Sequence, residues 1–316
     1  MLFVSIGECM VEMSEAGDDR YRLGFAGDTL NTAWYARARL PAQWQVEYYT
    51  GLGTDVYSDR IRAFLNENNI GTRFVREVPD RRPGLYLIHQ AEGDRRFTYW
   101  RGQSAARLLA DDPPHLINAL NGADVVYFSG ISLAILAPQA RRTLIDCIAS
   151  AKASRKMIVA FDPNIRMGLW DSEQDARDTI MQVAAIADFA FPTWGDETVL
   201  FGDPSLEVTA ARYLDAGCGH VVVKNGAGTA FATTCDHQAR LAPSPHTKVV
   251  DATGAGDSFN GAYLAAFLTG AKVTEALQQA HDVAGKVVGH TGALMPQSLV
   301  RSDPTWRFMV KHASEV

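Results

Sequence analysis

Residues 248–268 read KVVDATGAGDSFNGAYLAAFL and run from a β-branched pair through a Gly-Ala-Gly turn into a predicted helix. Backbone N–H groups at the start of a helix attract an anion, and the helix dipole adds to this attraction. Asp257 stands directly after the turn, where its charge would repel a phosphate that only had to be held. The arrangement makes chemical sense if Asp257 takes a proton from a hydroxyl beside a phosphoryl group, while the amides of Gly254, Ala255 and Gly256 absorb the developing negative charge. Asp251 would orient this loop or contact a cation, or it only caps the turn.

Two other glycine motifs are a poor match to this stretch. The spacing of Gly254, Gly256 and Gly261 is not that of a dinucleotide fingerprint, the turn lies near the C-terminus, and no acidic residue follows at the expected distance. The P-loop pattern G-x-x-x-x-G-K-[ST] has no match. A nicotinamide enzyme or a Walker-type enzyme is therefore not expected.

The composition is that of a globular protein with many tight turns. The chain has 316 residues, 47% of them hydrophobic, with 26 glycines and a formal net charge of −6. This charge gives no reason to expect nucleic acid or an anionic membrane as a partner. The four cysteines lack the spacing of a zinc site, the N-terminus lacks the basic region of a signal peptide, and no apolar run reaches the ~20 residues of a membrane span. We therefore expect a cytoplasmic protein with reduced thiols.

Short apolar strands alternate with amphipathic helices through the central and C-terminal parts of the chain. Strands are predicted at 124–128, 157–161, 188–192 and 220–224, and helices at 138–153 and 205–217. Strands of this kind, alternating with helices, indicate an α/β fold with a doubly wound, mostly parallel sheet flanked by helices.

Two segments depart from that alternation. Residues 9–28 have alternating polarity, and residues 84–101 read as a hairpin around a turn at Glu92-Gly93-Asp94. We expect one domain over 1–316 with a small β-sheet lid built from about 9–31 and 83–104. A plain surface flap is the alternative, but Tyr99, Trp100 and Arg101 at the end of the hairpin favour a lid over a ligand.

The stretch 251-DATGAGDSFNGAYL-264 resembles the motif D-T-x-G-A-G-D-x-F-x-x-G of the ribokinase-like (PfkB) carbohydrate kinases, with D-A-T in place of D-T-x. The resemblance implies a ribokinase-like fold, with Asp257 as the catalytic base. The second glycine motif of that family corresponds to 26-AGDTLNTAWYARARL-40, where Gly27, Asp28 and Asn31 would bind sugar hydroxyls. Asp28 and Thr29 also suit the N-cap of a helix from about residue 30, and the two roles are compatible.

Further segments narrow the resemblance to one group of that family. The stretches 7-GECMVEMSE-15, 51-GLGTD-55, 82-RPGLYLI-88, 129-SGISLAIL-136 and 162-DPNIRMGLW-170 resemble the kinases of 2-keto-3-deoxygluconate. Such a protein would transfer the γ-phosphoryl group of ATP to the 6-hydroxyl of the sugar acid. The alternatives are a fructokinase, ribokinase or 2-keto-3-deoxygalactonate kinase of the same family, or a non-catalytic sugar-acid sensor.

The resemblance also implies substrate-binding residues. It assigns Tyr86, Tyr99, Arg101 and Arg166 to the substrate, and arginine is well suited to a carboxylate. Arg166 would also touch the ATP phosphates. Tyr86 is alternatively a core aromatic of the hairpin.

The nucleotide would bind along 221-VVVKNGAGTAF-231, which also reads as a plain hairpin turn, with adenine near 280–293. The implied ATP-binding residues are Asn164, Arg166, Thr193, Lys224, Asn225, Gly226, Gly228, Gly254 and Gly256. In 193-TWGDE-197, Thr193 replaces the asparagine of a family motif N-x-x-E, and either Asp196 or Glu197 would be its acid. We expect Mg²⁺ to bind mainly through ATP phosphates and water, with no side-chain ligand assigned. The resemblance further suggests a monovalent cation near Asp251 and a homo-oligomer.

Overall fold

The computed structural model describes residues 1–91, 94–244 and 248–301. Its strands are β1 Leu2–Ile6, β2 Met10–Glu15, β3 Tyr21–Ala26, β4 Gln45–Leu52, β5 Val75–Glu77, β6 Gly84–Ala91, β7 Asp94–Trp100, β8 Val125–Ser129, β9 Ile158–Asp162, β10 Phe189–Ala190, β11 His220–Val223, β12 Ala230–Thr234 and β13 Gln238–Leu241. Its α-helices are α1 Asp28–Arg39, α2 Val56–Glu67, α3 Pro113–Gly122, α4 Gly130–Ala134, α5 Pro138–Ser154, α6 Glu173–Ala184, α7 Trp194–Phe201, α8 Leu206–Asp215, α9 Ala255–Leu268, α10 Val273–Val288 and α11 Gln297–Arg301. Short 3₁₀ turns occur at Ala105–Leu108 and Met167–Leu169.

The larger sheet has nine strands in the order β13-β12-β11-β10-β9-β8-β1-β4-β5. In this spatial order, all neighbours from β11 through β10, β9, β8, β1 and β4 to β5 pair in parallel. Strands β12 and β13 extend the sheet antiparallel at one edge. Neighbouring residues of β1 point into different apolar clusters, Val4 into one and Phe3 into the other. Both faces of the sheet are thus covered, which confirms the predicted doubly wound architecture.

The predicted strands and helices lie close to the observed ones. Strands β8 and β9 are each displaced by one residue from their predictions, β10 is shorter, and helices α5 and α8 match theirs to within about two residues. These segments have either a short apolar run or a helical apolar period, so local sequence largely decides them.

The smaller sheet has the order β3-β2-β6-β7. Strands β6 and β7 pair antiparallel, with Tyr86 opposite Tyr99, as predicted for a hairpin. The predicted turn at 92–94 lies partly outside the described residues. Residues 28–31 were expected in the lid segment but belong to helix α1.

The predicted cap of helix α1 is wrong. The helix begins at Asp28 itself, Gly27 precedes it, and no side chain caps its N-terminus. The carboxylate of Asp28 instead accepts a hydrogen bond from Asn164 Nδ2 at 2.8 Å, and Thr29 Oγ1 lies 2.8 Å from the hydroxyl of Tyr48. Tertiary partners have therefore replaced the local cap.

The chain topology brings several polar residues to the carboxyl edge of the large sheet. Glu8 follows β1, Asp162 ends β9, and Lys224 follows β11. In open α/β sheets, ligands bind in the crevice at this edge. Within the described ranges, no helix is both long enough and apolar enough to cross a bilayer.

Candidate active site

A cleft of about 1060 Å³ lies between the carboxyl edge of the large sheet and the small sheet. The small sheet contributes Met10, Tyr86, Phe97 and Tyr99 to its wall. The remaining lining residues are Glu8, Gly27, Asp28, Asn31, Arg101, Ile131, Asp162, Asn164, Arg166, Thr193, Asp196, Lys224, Gly226, Val249, Val250, Asp251, Ala252, Thr253, Gly254, Ala255, Gly256 and Asp257. Nearly every site residue predicted from the sequence is therefore on one continuous surface.

The glycine turn opens helix α9 as the sequence predicted. Gly254 has φ of +75° and would place a Cβ only 3.0 Å from the backbone of Ala293, so both conformation and space require glycine. The first intrahelical bond runs from Ser258 N–H to the Gly254 carbonyl. The N–H groups of Gly256 and Asp257 lie ahead of it, in the turn where α-helical N–H groups have no helical acceptor.

Ala255 differs from its predicted role in one respect. Its N–H donates to the carbonyl of Ala252 at 3.2 Å, within the turn. The residue still lines the cleft. Its amide therefore already has an acceptor, and Gly256 and Asp257 are the better-placed anion donors.

Asp257 lies at the first turn of α9 and faces helix α1. Asn31 Nδ2 donates to its Oδ2 at 2.8 Å. Burial and then the negative charge of Asp28 raise the pKa of Asp257 to about 7, against the opposing effects of Asn31 and Lys224. A carboxyl group with this pKa accepts a proton efficiently at neutral pH.

A buried carboxylate, Asp162, connects the two ends of the cleft. Its Oδ2 accepts from Lys224 Nζ at 2.7 Å and from Asn260 Nδ2 at 2.6 Å. Its Oδ1 accepts the N–H of Asn164, a residue with φ of +33°, at 3.0 Å. Because the Asn164 side chain in turn holds Asp28, one carboxylate fixes residues at both ends.

Lys224 reaches the glycine turn from strand β11. Its ammonium lies 3.6 Å from the position that a Cβ on Gly256 would take. The side chain is only 10% exposed. The turn therefore has a fixed positive charge beside its amides, suited to an anion such as phosphate.

Arg101 lies where the chain leaves the small sheet. It forms an ion pair with Glu8, and its guanidinium lies 5.8 Å from the ring centre of Tyr99. Tyr86 is buried in the small sheet with Met10, Ala26 and Ile88, and its hydroxyl donates to Glu12. Tyr86 thus packs in the sheet's own apolar cluster and also lines the cleft.

The motif at 193–197 places its two acids differently. Asp196 lines the cleft and pairs with Arg166 at 3.3 Å, and burial raises its pKa. Glu197, on the same helix α7, is fully buried and accepts from Arg212 at 2.7 Å and from the hydroxyl of Tyr213 at 3.0 Å. Of the two acids that the sequence left open, Asp196 is the one in the cleft.

Two predicted nucleotide residues do not reach the cleft. Gly226, with φ of +52°, lines it, but Asn225 and Gly228 are absent from its wall. The N–H of Gly228 donates to the carbonyl of Asn225 at 2.7 Å, closing the turn between β11 and β12. These two residues shape the turn, as the hairpin interpretation of this stretch expected.

Sequence reasoning missed Glu8 and Asp162 as site residues. Both stand inside segments that carried the family resemblance, 7-GECMVEMSE-15 and 162-DPNIRMGLW-170. The available signal was a charged residue directly after a strand of buried residues, at the ligand-binding edge of the sheet.

The fold and this cleft together define a carbohydrate kinase. The model of the pfkB family carbohydrate kinases matches residues 2–298, so the chain belongs to that family.

Similar proteins of named activity extend the comparison. The chain is 38% identical to a 2-dehydro-3-deoxygluconokinase of Escherichia coli (strain K12) over 299 residues, covering 92% of this chain and 96% of that protein. It is 37% identical to a 2-dehydro-3-deoxygluconokinase of Dickeya dadantii (strain 3937), with the same coverage. Among solved structures, a PfkB protein from Polaromonas sp. JS666 superposes with a TM-score of 0.79 at 26% identity, covering 96% of this chain and 99% of the other. A fructokinase from Xylella fastidiosa with bound ATP gives 0.82 at 19% identity, covering 99% of each chain, which shows the fold alone.

Proposed function

We propose that this protein phosphorylates 2-dehydro-3-deoxy-D-gluconate at its 6-hydroxyl, using ATP, to give 2-dehydro-3-deoxy-6-phosphogluconate and ADP. The observation that carries the proposal is one cleft with a proton acceptor of raised pKa, Asp257, at a helix N-terminus and an arginine, Arg101, on the opposite, small-sheet side. The high identity to 2-dehydro-3-deoxygluconokinases over nearly the whole chain supports the same substrate.

In the proposed reaction, Asp257 accepts the proton of the 6-hydroxyl as this oxygen attacks the γ-phosphorus of ATP. The bond between O6 and the γ-phosphorus forms, the bond to the β,γ-bridging oxygen breaks, and ADP leaves with that electron pair. The N–H groups of Gly256 and Asp257 and the ammonium of Lys224 stabilise the charge on the transferred group. The turn's geometry supports this role because the φ of +75° at Gly254 and its close packing against Ala293 hold the amides at the start of α9.

The sugar acid occupies the side of the cleft next to the small sheet. Gly27, Asp28 and Asn31 lie there for its hydroxyls, and Arg101 with Tyr99 and Tyr86 for its carboxylate end. Arg166, half-exposed and paired with Asp196, stands between the sugar and phosphate ends. We assign the small sheet as a lid of a single domain, because its inner residues form one wall of this cleft.

The nucleotide lies along Thr193, Lys224, Gly226 and the glycine turn, with Asn164 at the junction with the sugar. A second cavity of about 480 Å³ shares Val250 with the cleft and is bounded by Lys248, His281, Asp282 and Gly285. We place adenine there, which agrees with the expectation of adenine near 280–293.

Mg²⁺ supplies charge neutralisation on the phosphates when ATP is bound. Among the described residues, no group of three or more acidic, histidine or cysteine side chains could hold a metal ion by itself. We therefore propose that the ion is held through the phosphates and water, with Asp196 as the acid of the 193–197 motif that lines the cleft.

Three expectations from the sequence stay predictions: a monovalent cation near Asp251, a homo-oligomer and a cytoplasmic location. Asp251 accepts the N–H groups of Thr253 and Gly292, at 2.9 and 2.6 Å, which supports a role in orienting the loop. A monovalent cation near it would appear as a difference in activity between K⁺ and Na⁺ buffers. A homo-oligomer would appear in light scattering, and a cytoplasmic location in cell fractionation.

A coupled assay of ADP release tests the proposed function. We expect activity with 2-dehydro-3-deoxy-D-gluconate to exceed that with fructose, ribose and 2-dehydro-3-deoxy-D-galactonate in kcat/KM. Higher kcat/KM with a neutral sugar, undiminished in Arg101→Ala, would assign the protein to another kinase of the same fold. Binding of the acid without ADP release would indicate a sensor.

A further inference from the structure

The buried ion pair between Glu8 and Arg101 lies where the chain crosses between the two sheets. Glu8 stands between β1 of the large sheet and β2 of the small one, and Arg101 follows β7 on the way back. Gly84, at the start of β6, packs against both: a Cβ there would lie 2.7 Å from Glu8 Oε1 and 3.2 Å from Arg101 Cβ. The pair is thus enclosed at the base of the small sheet.

The two side chains differ in their access to the cleft. The side chain of Glu8 is 1% exposed and that of Arg101 is 10% exposed, and both residues border the cleft. A ligand therefore meets the guanidinium, whereas the carboxylate lies behind it. Of the two side chains, Arg101 is therefore the better placed to contact a ligand.

Arg101 also has donors left over. Its Nε and Nη2 are buried and have no hydrogen-bond partner among the described residues, and neither has either carboxylate oxygen of Glu8, so the two side chains are in contact as an ion pair without an aligned hydrogen bond. A buried donor without an acceptor costs free energy, so a ligand carboxylate that supplies an acceptor to the guanidinium would relieve part of this cost. Because guanidinium matches a carboxylate in a planar, two-bond arrangement, its orientation decides how well it binds one.

We propose that Glu8 is a positioning residue for carboxylate recognition: it fixes the plane of the Arg101 guanidinium and supplies its counter-charge. This inference rests on the proposed function and adds a determinant of specificity to it. A buried arginine without a counter-ion is costly, and a mobile one would lose the two-bond geometry. Glu8 removes both problems without touching the substrate.

The proposal makes a prediction opposite to that of simple electrostatics. If Glu8 only added negative charge near the site, Glu8→Gln would tighten binding of an anionic sugar acid. If Glu8 orients Arg101, Glu8→Gln weakens binding about ten-fold, the loss of roughly one charge-assisted hydrogen bond. The sign of the change therefore separates the two.

The experiment is a double-mutant cycle on the full chain, with Glu8→Gln, Arg101→Met and both together. Binding of 2-dehydro-3-deoxy-D-gluconate is measured by calorimetry without ATP, and turnover by ADP release. We expect Glu8→Gln to raise Kd and KM about ten-fold with kcat within a few-fold, and to have no further effect in the Arg101→Met background. Glu197→Gln is the matched control, because Glu197 is also a buried partner of an arginine but lies outside the cleft, and its Kd should equal that of the parent.

Several results would overturn the inference. These are an unchanged or lower Kd in Glu8→Gln, an equal effect of that substitution with and without Arg101, or no binding of the acid to the parent protein. Binding of the acid without turnover would refute the proposed function, and the Kd values of the double-mutant cycle would still test the role of Glu8. If Glu8→Gln does not fold, Glu8→Asp keeps the charge on a shorter side chain, and an unchanged Kd in that variant would also count against the proposal.

Discussion

Replacing Asp257 with asparagine should lower kcat and raise the stability of the fold. The amide is nearly isosteric, and its oxygen can still accept the hydrogen bond that Asn31 donates at 2.8 Å. It cannot take the proton of the attacking hydroxyl, so kcat should fall by ~10²–10⁴-fold with KM little changed. The fold around the turn should remain intact.

Stability should move the other way, and the sign follows from the pKa. A carboxyl group whose pKa rises from 3.8 to about 7 on folding binds its proton more tightly in the folded state. Its charge therefore destabilises the folded protein increasingly as the pH rises from about 4 to 7. One pKa unit corresponds to ~1.4 kcal/mol, which would give about 4 kcal/mol for this shift, but the carboxylate is partly open to solvent in the cleft, so we expect a gain of about 1–2 kcal/mol above pH 7.

Two measurements check this pair of effects. ADP release at saturating sugar acid gives kcat, and thermal unfolding at pH 5 and pH 8 gives the change in stability. We expect Asp257→Asn to unfold a few degrees above the parent at pH 8, with a much smaller difference at pH 5. A kcat within a few-fold of the parent would show that Asp257 is not the base. An Asp257→Asn variant that is less stable than the parent at pH 8 would show that the charge of the Asp257 carboxylate does not destabilise the folded protein.

Three further predictions concern the surroundings of this base. The kcat/KM of the parent should fall as the pH drops through about 7. This limb of the pH profile should move to lower pH in Asp162→Asn and to higher pH in Lys224→Met, because Asp162 raises and Lys224 lowers the pKa of Asp257. Equal pH profiles in the parent and the two variants would contradict this prediction. Gly254→Ala should destabilise the protein by ~1–3 kcal/mol and lower kcat, as φ of +75° disfavours a side chain there, whereas Gly270→Ala, at φ of +98° in a loop away from the cleft, should cost stability alone. Glu197→Gln should cost ~1–3 kcal/mol in denaturant unfolding with kcat unchanged, since the residue is buried outside the cleft, and a large loss of kcat would place it in the active site after all.

The fold was predictable because its deciding signals are local. Strands such as β8 and β9 are continuous apolar runs, and their helices repeat with the helical period, so a parallel sheet covered on both faces follows directly. The glycine turn at 254–257 was equally readable, because its function depends on backbone geometry that only glycine permits.

The parts that could not be predicted depend on partners far away in the sequence. Asp28 looks like a helix cap, but Asn164 holds its carboxylate and leaves the helix uncapped. Asp196 and Glu197 are adjacent, and only the packing of helix α7 decides that one faces the cleft and the other faces Arg212. A single sequence gives no indication of such pairings.

Burial raises the pKa of Asp257, and the charges around the cleft add to this effect. Each basic side chain that the described residues place in the cleft already has a carboxylate partner: Arg101 with Glu8, Lys224 with Asp162, and Arg166 with Asp196. These pairs are close to neutral, which avoids the cost of bare buried charge before the ligands arrive. They also leave Asp257 beside the carboxylate of Asp28, so the pKa of Asp257 stays high enough for it to accept a proton from a hydroxyl. Unpaired cations would bind the anionic ligands more strongly at first, but they would lower the pKa of Asp257 and weaken it as a base. Pairing the cations is thus part of how the cleft combines anion binding with proton transfer.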